Sequence, residues 1–550
     1  MARPGRPTPT VTELLLARER DTNPGLLFEG QRWSWANHVQ ECADRAALLR
    51  SLRRAGPFHI GVLLDNVPEF AFLLGGAALA GAVLVGLNTT RRGAALARDV
   101  RLADCQIVLT ESRYVELLDD LDLGAARGRV LDIDSAAWHM SLYAHRHRPL
   151  EPVPAAPDDL LMLIFTSGTS GDPKAVRCTH GKIAEPGRML AERFGLGPDD
   201  TVYVSMPMFH SNAIMAGWAV GLAAGAGIAL RRRFSASGFL DDVRIYGATY
   251  ANYVGKPLSY VLATEPRPDD ADNPLRLVFG NEAAERDAAA FAERFGCRVV
   301  DAYGSTEGGI VLARPPDTPR GSLGRLGDGI AILDPQTARP CPPARFDADG
   351  RLLNPGEAVG ELVNTTGAGA FAGYYRDSAA DGCRIRNGMF WSGDLAYRDE
   401  NDFCYFYGRT GDWLRVDGEN LGTAPIERIL LRHPDISEAA VYAVPDGAVG
   451  EAVMAAVVLR RGRRFDADAF ADFLVAQKDL GAKQVPRFVR VANRLPRTPT
   501  HKVIKRTLMA HGVRCADAVW WREGPEPRYR PLTPDNTPIQ LDGGTRHVRG

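Results

Sequence analysis

The residues best suited to chemistry lie at 161–174. There an apolar run, Leu161-Met-Leu-Ile-Phe165, gives way to Thr166-Ser167-Gly168-Thr169-Ser170-Gly171-Asp-Pro-Lys174. Glycines let backbone N–H groups approach an anion closely, the hydroxyls add donors, and the lysine adds charge. This is the composition of a phosphate cradle. It is not a Walker loop, because no Gly-Lys-Ser/Thr stands at the required spacing. A surface turn has the same composition, but the lysine favours phosphate. Only seven of the 66 Lys and Arg residues are lysines, leaving 59 arginines. A chain that writes Arg for a generic cation uses Lys where a compact ammonium matters.

Three more segments carry suitable groups. Val278-Phe-Gly280-Asn281-Glu282 and Val300-Asp-Ala-Tyr303-Gly304-Ser305-Thr306-Glu307-Gly-Gly309 both begin where a buried strand should end, the edge at which α/β sheets bind ligands. Tyr303 offers a flat face for a purine, Thr306 a hydroxyl for phosphate, and Glu307 a hard oxygen for Mg²⁺. A Gly-rich turn with a solvated glutamate is the bland alternative. In Trp391-Ser-Gly-Asp394, followed by Tyr407-Gly-Arg409, the aspartate could accept from the two hydroxyls of a ribose, although a lone Asp is more often a turn residue. Finally, Leu495-Pro-Arg-Thr-Pro-Thr-His501-Lys502-Val-Ile-Lys505 places Lys502 in a turn between a strand and a helix.

To position these groups the chain offers β-branched apolar runs at 161–165, 201–206, 275–279 and 298–302, separated by helical patterns. That alternation predicts an α/β fold with largely parallel sheets. At about residue 408 the texture changes. A helix is expected at 425–433, strands at 439–444 and 452–459, a helix at 467–477 and a strand at 488–491. The expected division is a large N-terminal domain at 1–410, a small C-terminal α+β domain at 411–522 and an irregular tail at 523–550. The uncharged stretches 70–87 and 213–230 reach the length of a membrane span, but each carries four glycines. They read better as a buried helix running into a buried strand. A net charge of −1 argues against nucleic acid as a partner. The eight cysteines, scattered without a CxxC pair, suit reduced thiols and a cytoplasmic location, with peripheral membrane contact left open.

These segments, in this order, resemble the core motifs of the acyl-adenylate-forming (AMP-binding) superfamily, and the resemblance runs from Gly61-Val-Leu-Leu-Asp-Asn-Val-Pro-Glu69 onward. Phe279-Gly-Asn-Glu282, Arg409-Thr-Gly-Asp412 with Gly418-Glu-Asn420, and Tyr529-Arg-Pro-Leu-Thr-Pro534 are similar to the fatty-acid-transport-protein, or very-long-chain acyl-CoA synthetase, branch and to actinobacterial fatty-acid–CoA ligases. The resemblance implies a large adenylating domain of stacked, helix-covered sheets and a small mobile lid. It implies ATP, Mg²⁺ and coenzyme A, and a medium-to-long-chain carboxylic acid made first into acyl-AMP and then into a thioester.

By residue, the resemblance implies that Thr166 to Lys174 hold ATP phosphates and that Gly280 to Glu282 and Tyr303 frame adenine, with Gly304 and Ser305 also binding the nucleotide. Thr306 would meet the α-phosphate, Glu307 the magnesium, Asp394 and Arg409 the ribose, and Lys502 both carboxylate and ATP. His210, in Met206-Pro-Met-Phe-His210-Ser-Asn212, would line the acyl site or serve as a core histidine. The sequence departs from relatives at His501, where many carry Gly, at Gly411, which stands at or near the hinge, and at Lys256, where transport-type relatives often carry Glu. An enzyme that passes acyl-AMP to a carrier protein, a non-CoA adenylating enzyme, a binding protein that keeps the fold, and a transporter are the other readings. Intact Thr306, Glu307 and Lys502 argue against the binding protein.

Overall fold

Neighbouring parallel strands require a crossover between them, and the alternation of apolar runs with helices supplies one each time. The computed structural model describes residues 7–149, 151–166, 173–315, 317–409, 413–416, 419–446, 450–497, 503–524 and 526–533. They divide into two units, Met1–Val311 with Ala368–Ile385, and Leu312–Gly367 with Arg386–Gly550.

The first unit holds two sheets. One runs through Arg298–Asp301, Leu277–Asn281, Tyr250–Val254, Thr201–Val204, Gly227–Leu230 and Pro24–Phe28, all parallel, and closes on antiparallel Gln31–Ser34. The other runs through Val130–Asp132, Cys105–Thr110, His59–Leu63, Val83–Gly86 and Leu160–Thr166, then turns back as antiparallel Lys174–Thr179. Every residue of His59–Leu63 and Cys105–Thr110 is buried, as expected of strands covered by helices on both faces.

Each long uncharged stretch is a helix followed by a strand. Pro68–Ala80 precedes Val83–Gly86, and Ala219–Ala224 precedes Gly227–Leu230. The two helices stop at left-handed glycines, Gly81 at φ 65° and Gly225 at φ 70°, a conformation glycine adopts without steric penalty. No helix among the described residues is long and apolar enough to cross a membrane.

Two of the four N-terminal apolar runs differ from their strands by two residues. The expected strand 201–206 ends at Val204, because Asn66 takes up the next residues. Its amide donates to the Met206 carbonyl at 2.9 Å and its oxygen accepts from the Met208 N–H at 2.8 Å. The strand expected at 275–279 is Leu277–Asn281. Its extension fits because Gly280 lacks a side chain: a Cβ there would stand 2.2 Å from the Tyr253 carbonyl oxygen on the adjacent strand.

The second unit contains an antiparallel sheet ordered Ser322–Arg325, Phe403–Arg409, Met389–Arg398, Gly360–Asn364 and Ile330–Leu333. It also contains a sheet centred on Gly450–Leu459, which pairs with Ile436–Asp446, Trp413–Val416 and Phe488–Val491. Alternate side chains of Gly450–Leu459 serve two cores. Val453, Ala455 and Val457 pack with Ile426, Phe470 and Leu474 from helices Thr423–Leu430 and Ala467–Ala476. Met454 and Ala456 pack with Leu508 of helix Lys505–His511 and with Trp521. The period of two in a strand puts helices on both faces.

Candidate functional site

Thr166 and Lys174, at the two ends of the expected phosphate segment, are Cα partners in the antiparallel ladder of Leu160–Thr166 with Lys174–Thr179. Ser167, Gly168, Thr169, Ser170 and Gly171 lie outside the described residues. The free edge of Lys174–Thr179 receives the segment Ala368–Ile385. The Arg177 N–H donates to the Gly373 carbonyl at 3.0 Å and the Tyr375 N–H to the Ala175 carbonyl at 2.7 Å. This docking sets the buried Tyr374 between two expected site residues. Its ring centroid is 5.2 Å from Lys174 Nζ, and its hydroxyl donates to Glu307 Oε1 at 2.9 Å. Burial, and then the nearby Glu307 charge, push the Tyr374 phenol above its ordinary pKa, so it stays a neutral donor.

Thr306, one residue before Glu307, is held from another direction: its Oγ1 lies 2.8 Å from Ser211 Oγ. Ser211 follows His210, whose ring packs against Phe209 with centroids 4.5 Å apart. Beside them the Asn212 amide donates to the Tyr253 carbonyl at 3.1 Å, and Asn252 donates to Asn212 Oδ1 at 2.6 Å. Beneath the turn, Lys182 Nζ donates to the Glu307 carbonyl at 2.9 Å.

The neighbouring strand ends are tied together. Gly280 accepts from the Ala302 N–H at 2.7 Å, and the Asn281 amide reaches the Gly304 carbonyl at 3.4 Å. Asp301 accepts from the Tyr253 hydroxyl at 2.6 Å and from the Ala283 N–H at 2.8 Å. Glu282 takes φ +67°, an uncommon conformation for a residue with a side chain. Ser305 turns the chain, its Oγ accepting from the Gly308 N–H at 3.3 Å. Tyr303 and Gly304 fall just beyond strand Arg298–Asp301. The ends of parallel strands thus collect Gly280–Glu282 and Tyr303–Glu307 at one edge of the sheet.

In the second unit, Asp394 and Arg409 face each other across adjacent strands, with Arg409 Nε 3.4 Å from Asp394 Oδ1. The stretch of strand Met389–Arg398 just before Asp394 is braced by buried Glu361. It accepts from the Gly393 N–H at 2.7 Å and from Arg386 at 2.7 Å. Lys502, His501 and Gly411 lie outside the described residues. The second lysine of that motif, Lys505, is engaged by Glu427 at 2.9 Å and by the Thr423 hydroxyl at 2.7 Å.

Among the described residues no group of three or more His, Cys, Asp or Glu side chains could form a metal cage. The donor at this site is a single hard carboxylate, Glu307, one oxygen of which already accepts from Tyr374. That set fits Mg²⁺ carried in on substrate phosphates and holding its own waters, the usual mode for this ion.

Sequence reasoning missed Ser211, Tyr374, Lys182 and Glu361. Ser211 lay in a segment singled out for its histidine, and Lys182 was marked only by the scarcity of lysine. Tyr374 and Glu361 carried no signal of their own.

The description "AMP-binding enzyme" matches residues 16–375, and "AMP-binding enzyme C-terminal domain" matches residues 425–502. The medium/long-chain-fatty-acid–CoA ligase FadD17 of Mycobacterium marinum is 55% identical over 513 residues, 93% of this chain and 98% of that protein. Steroid-22-oyl-CoA synthetase of Rhodococcus jostii is 47% identical over 527 residues, 95% of each. Among solved structures, ATP-bound MatB from Rhodopseudomonas palustris shares the fold at TM-score 0.80 and 23% identity, covering 91% of this chain and 98% of that one.

Proposed function

Because the chain belongs to the family of AMP-binding enzymes, we propose that it is a fatty-acid–CoA ligase which activates a medium- or long-chain acid with ATP and transfers the acyl group to coenzyme A. The observation that carries this reading is the chain of contacts Lys174–Tyr374–Glu307, with Thr306 fixed by Ser211, at the carboxyl ends of the strands.

Joining a carboxylate to the α-phosphorus brings negative charges together, and fixed positive groups and donors must offset their repulsion. In this reading Thr166, the loop 167–171 and Lys174 hold the phosphates. Thr306 donates to the α-phosphate, and Glu307 holds Mg²⁺, which supplies charge neutralisation on the phosphate oxygens. Gly280, Asn281, Glu282 and Tyr303 frame adenine, Gly304 and Ser305 also bind the nucleotide, and Asp394 with Arg409 takes the ribose. Lys502 bridges carboxylate and ATP. A carboxylate oxygen attacks the α-phosphorus and pyrophosphate leaves; the thiol of coenzyme A then attacks the acyl carbonyl and AMP leaves.

The division into 1–410, 411–522 and 523–550 belongs to the same proposal, with the middle piece delivering Lys502 as a lid. His210 lines the acyl path. The 55% identity to a medium/long-chain-fatty-acid–CoA ligase supports an apolar acyl group. Eight free cysteines support a reducing, cytoplasmic setting.

The test is product analysis with ATP, Mg²⁺, coenzyme A and an acid panel from acetate to palmitate, with a steroid carboxylic acid beside them. The expected products are AMP, pyrophosphate and acyl-CoA. ADP and phosphate would overturn the assignment, and pyrophosphate release without thioester would replace coenzyme A with another acceptor.

A further inference from the structure

Lys182 belongs to none of the segments assigned chemistry above, yet its ammonium ends beneath the site. It sits in the first turn of helix His180–Phe194, where its N–H donates to the capping Thr179 hydroxyl at 3.2 Å. The side chain turns inward and is 7% exposed. It donates to the Glu307 carbonyl at 2.9 Å and to the Arg177 carbonyl at 3.4 Å.

This is an unfavourable place for a cation. The first turn of a helix favours anions, and burial holds the Lys182 pKa below the ordinary lysine value. Its hydrogen-bond partners are main-chain carbonyls rather than a carboxylate. A buried ammonium without a carboxylate partner is costly to desolvate, so stability alone gives little reason to place one here. Space also selects lysine over the arginine this chain otherwise prefers. Gly308 takes φ +71°, and a Cβ on it would stand 3.4 Å from Lys182 Cε. The turn thus passes close to the lysine stem, and a planar guanidinium is bulkier than the ammonium that ends there.

We propose that Lys182 is a positioning residue whose ammonium holds the main chain of Glu307, so that the Thr306 hydroxyl and Glu307 carboxylate are presented to ATP phosphates and magnesium. The proposal rests on the functional reading given above. Ser211 and Tyr374 hold the two side chains; Lys182 holds the backbone from which they project.

Lys182→Met keeps an unbranched side chain one atom shorter and removes the charge. It is compared with Lys182→Arg, wild type and Glu307→Gln. Calorimetry measures ATP binding with and without Mg²⁺. Acid-dependent exchange of pyrophosphate into ATP reports the first half-reaction, and thioester formation from preformed acyl-AMP and coenzyme A the second. A hydrogen bond from a charged donor is worth enough to predict, for Lys182→Met, about a tenfold or greater loss of exchange and of the Mg²⁺-dependent gain in ATP affinity. Binding without Mg²⁺ should stay within about twofold, thioester formation within about threefold, and Lys182→Arg should not rescue exchange.

Unchanged exchange and Mg²⁺ response in Lys182→Met, or equal loss in both half-reactions, would overturn the proposal. Should Lys182→Met fail to fold, Lys182→Gln is read by the same outcomes. A wild type without Mg²⁺-dependent ATP binding would overturn the site reading and this proposal together. A wild type with it, beside an indifferent Lys182 variant, overturns this proposal alone.

Discussion

Glu307 has a carboxylate oxygen held by the Tyr374 hydroxyl and a carbonyl held by Lys182, both at 2.9 Å. If Glu307 holds Mg²⁺ as proposed, such bracing sets the direction of its carboxylate before substrate arrives. The lysines of the late motif divide the labour differently. Lys505 is tied to Glu427 and Thr423, a structural pairing, which leaves Lys502 as the candidate for chemistry. Lys502→Ala is expected to lower adenylation at least about 100-fold, because it removes the charge between carboxylate and ATP. Supplied with preformed acyl-AMP and coenzyme A, the same variant should make thioester at nearly the normal rate. Equal damage to both steps would point to a folding defect, and damage to neither would remove Lys502 from the mechanism.

Among the elements, helix His180–Phe194 begins with His180, buried with its Nδ1 lacking a hydrogen-bond partner, and helix Trp35–Leu52 buries His38 with neither ring nitrogen bonded. Burial lowers the His180 pKa to about 4 and the His38 pKa to about 3. Both histidines are therefore neutral in the folded unit at neutral pH and take up protons on unfolding once the pH falls below about 6.5. With more protons bound in the unfolded state, stability is full above that pH. It falls by up to about 1.4 kcal/mol per pH unit per histidine on the way down to the folded pKa values. Urea midpoints between pH 7.5 and 4.5 should fall accordingly, and the slope should shrink in His180→Gln and His38→Gln. An identical slope in the variants would show that carboxylates alone set the acid limit. The element boundaries carry a related lesson. The apolar run 201–206 gave no hint of stopping at Val204, because the group that stops it, Asn66, sits on another segment.

For the molecule as a whole, the acid it prefers follows from how much apolar surface the acyl chain can bury. In the proposed reading the substrate is an apolar acid, and each CH₂ it buries contributes about 0.8 kcal/mol. The kcat/KM should therefore rise roughly fourfold per added methylene until the pocket is full. A steady-state series of straight-chain acids measures this. A flat profile from acetate to palmitate would contradict the acyl assignment while leaving adenylation intact.

By itself the sequence determined the parts whose chemistry is local. The segments Thr166 to Lys174, Tyr303 to Glu307 and Leu495 to Lys505 each carry donors or charges within a few residues, and a short run suffices to propose a role for them. The α/β alternation was legible for the same reason, since a strand or helix writes its own period into consecutive residues. Tertiary structure alone decided which groups meet. Tyr374 reaches Glu307 across 67 residues, Ser211 reaches Thr306 across 95, and Lys182 reaches Glu307 across 125. No periodicity links such positions. They are neighbours because parallel strands deliver their ends to one edge of a sheet, and because the segment Ala368–Ile385 returns to the free edge of Lys174–Thr179.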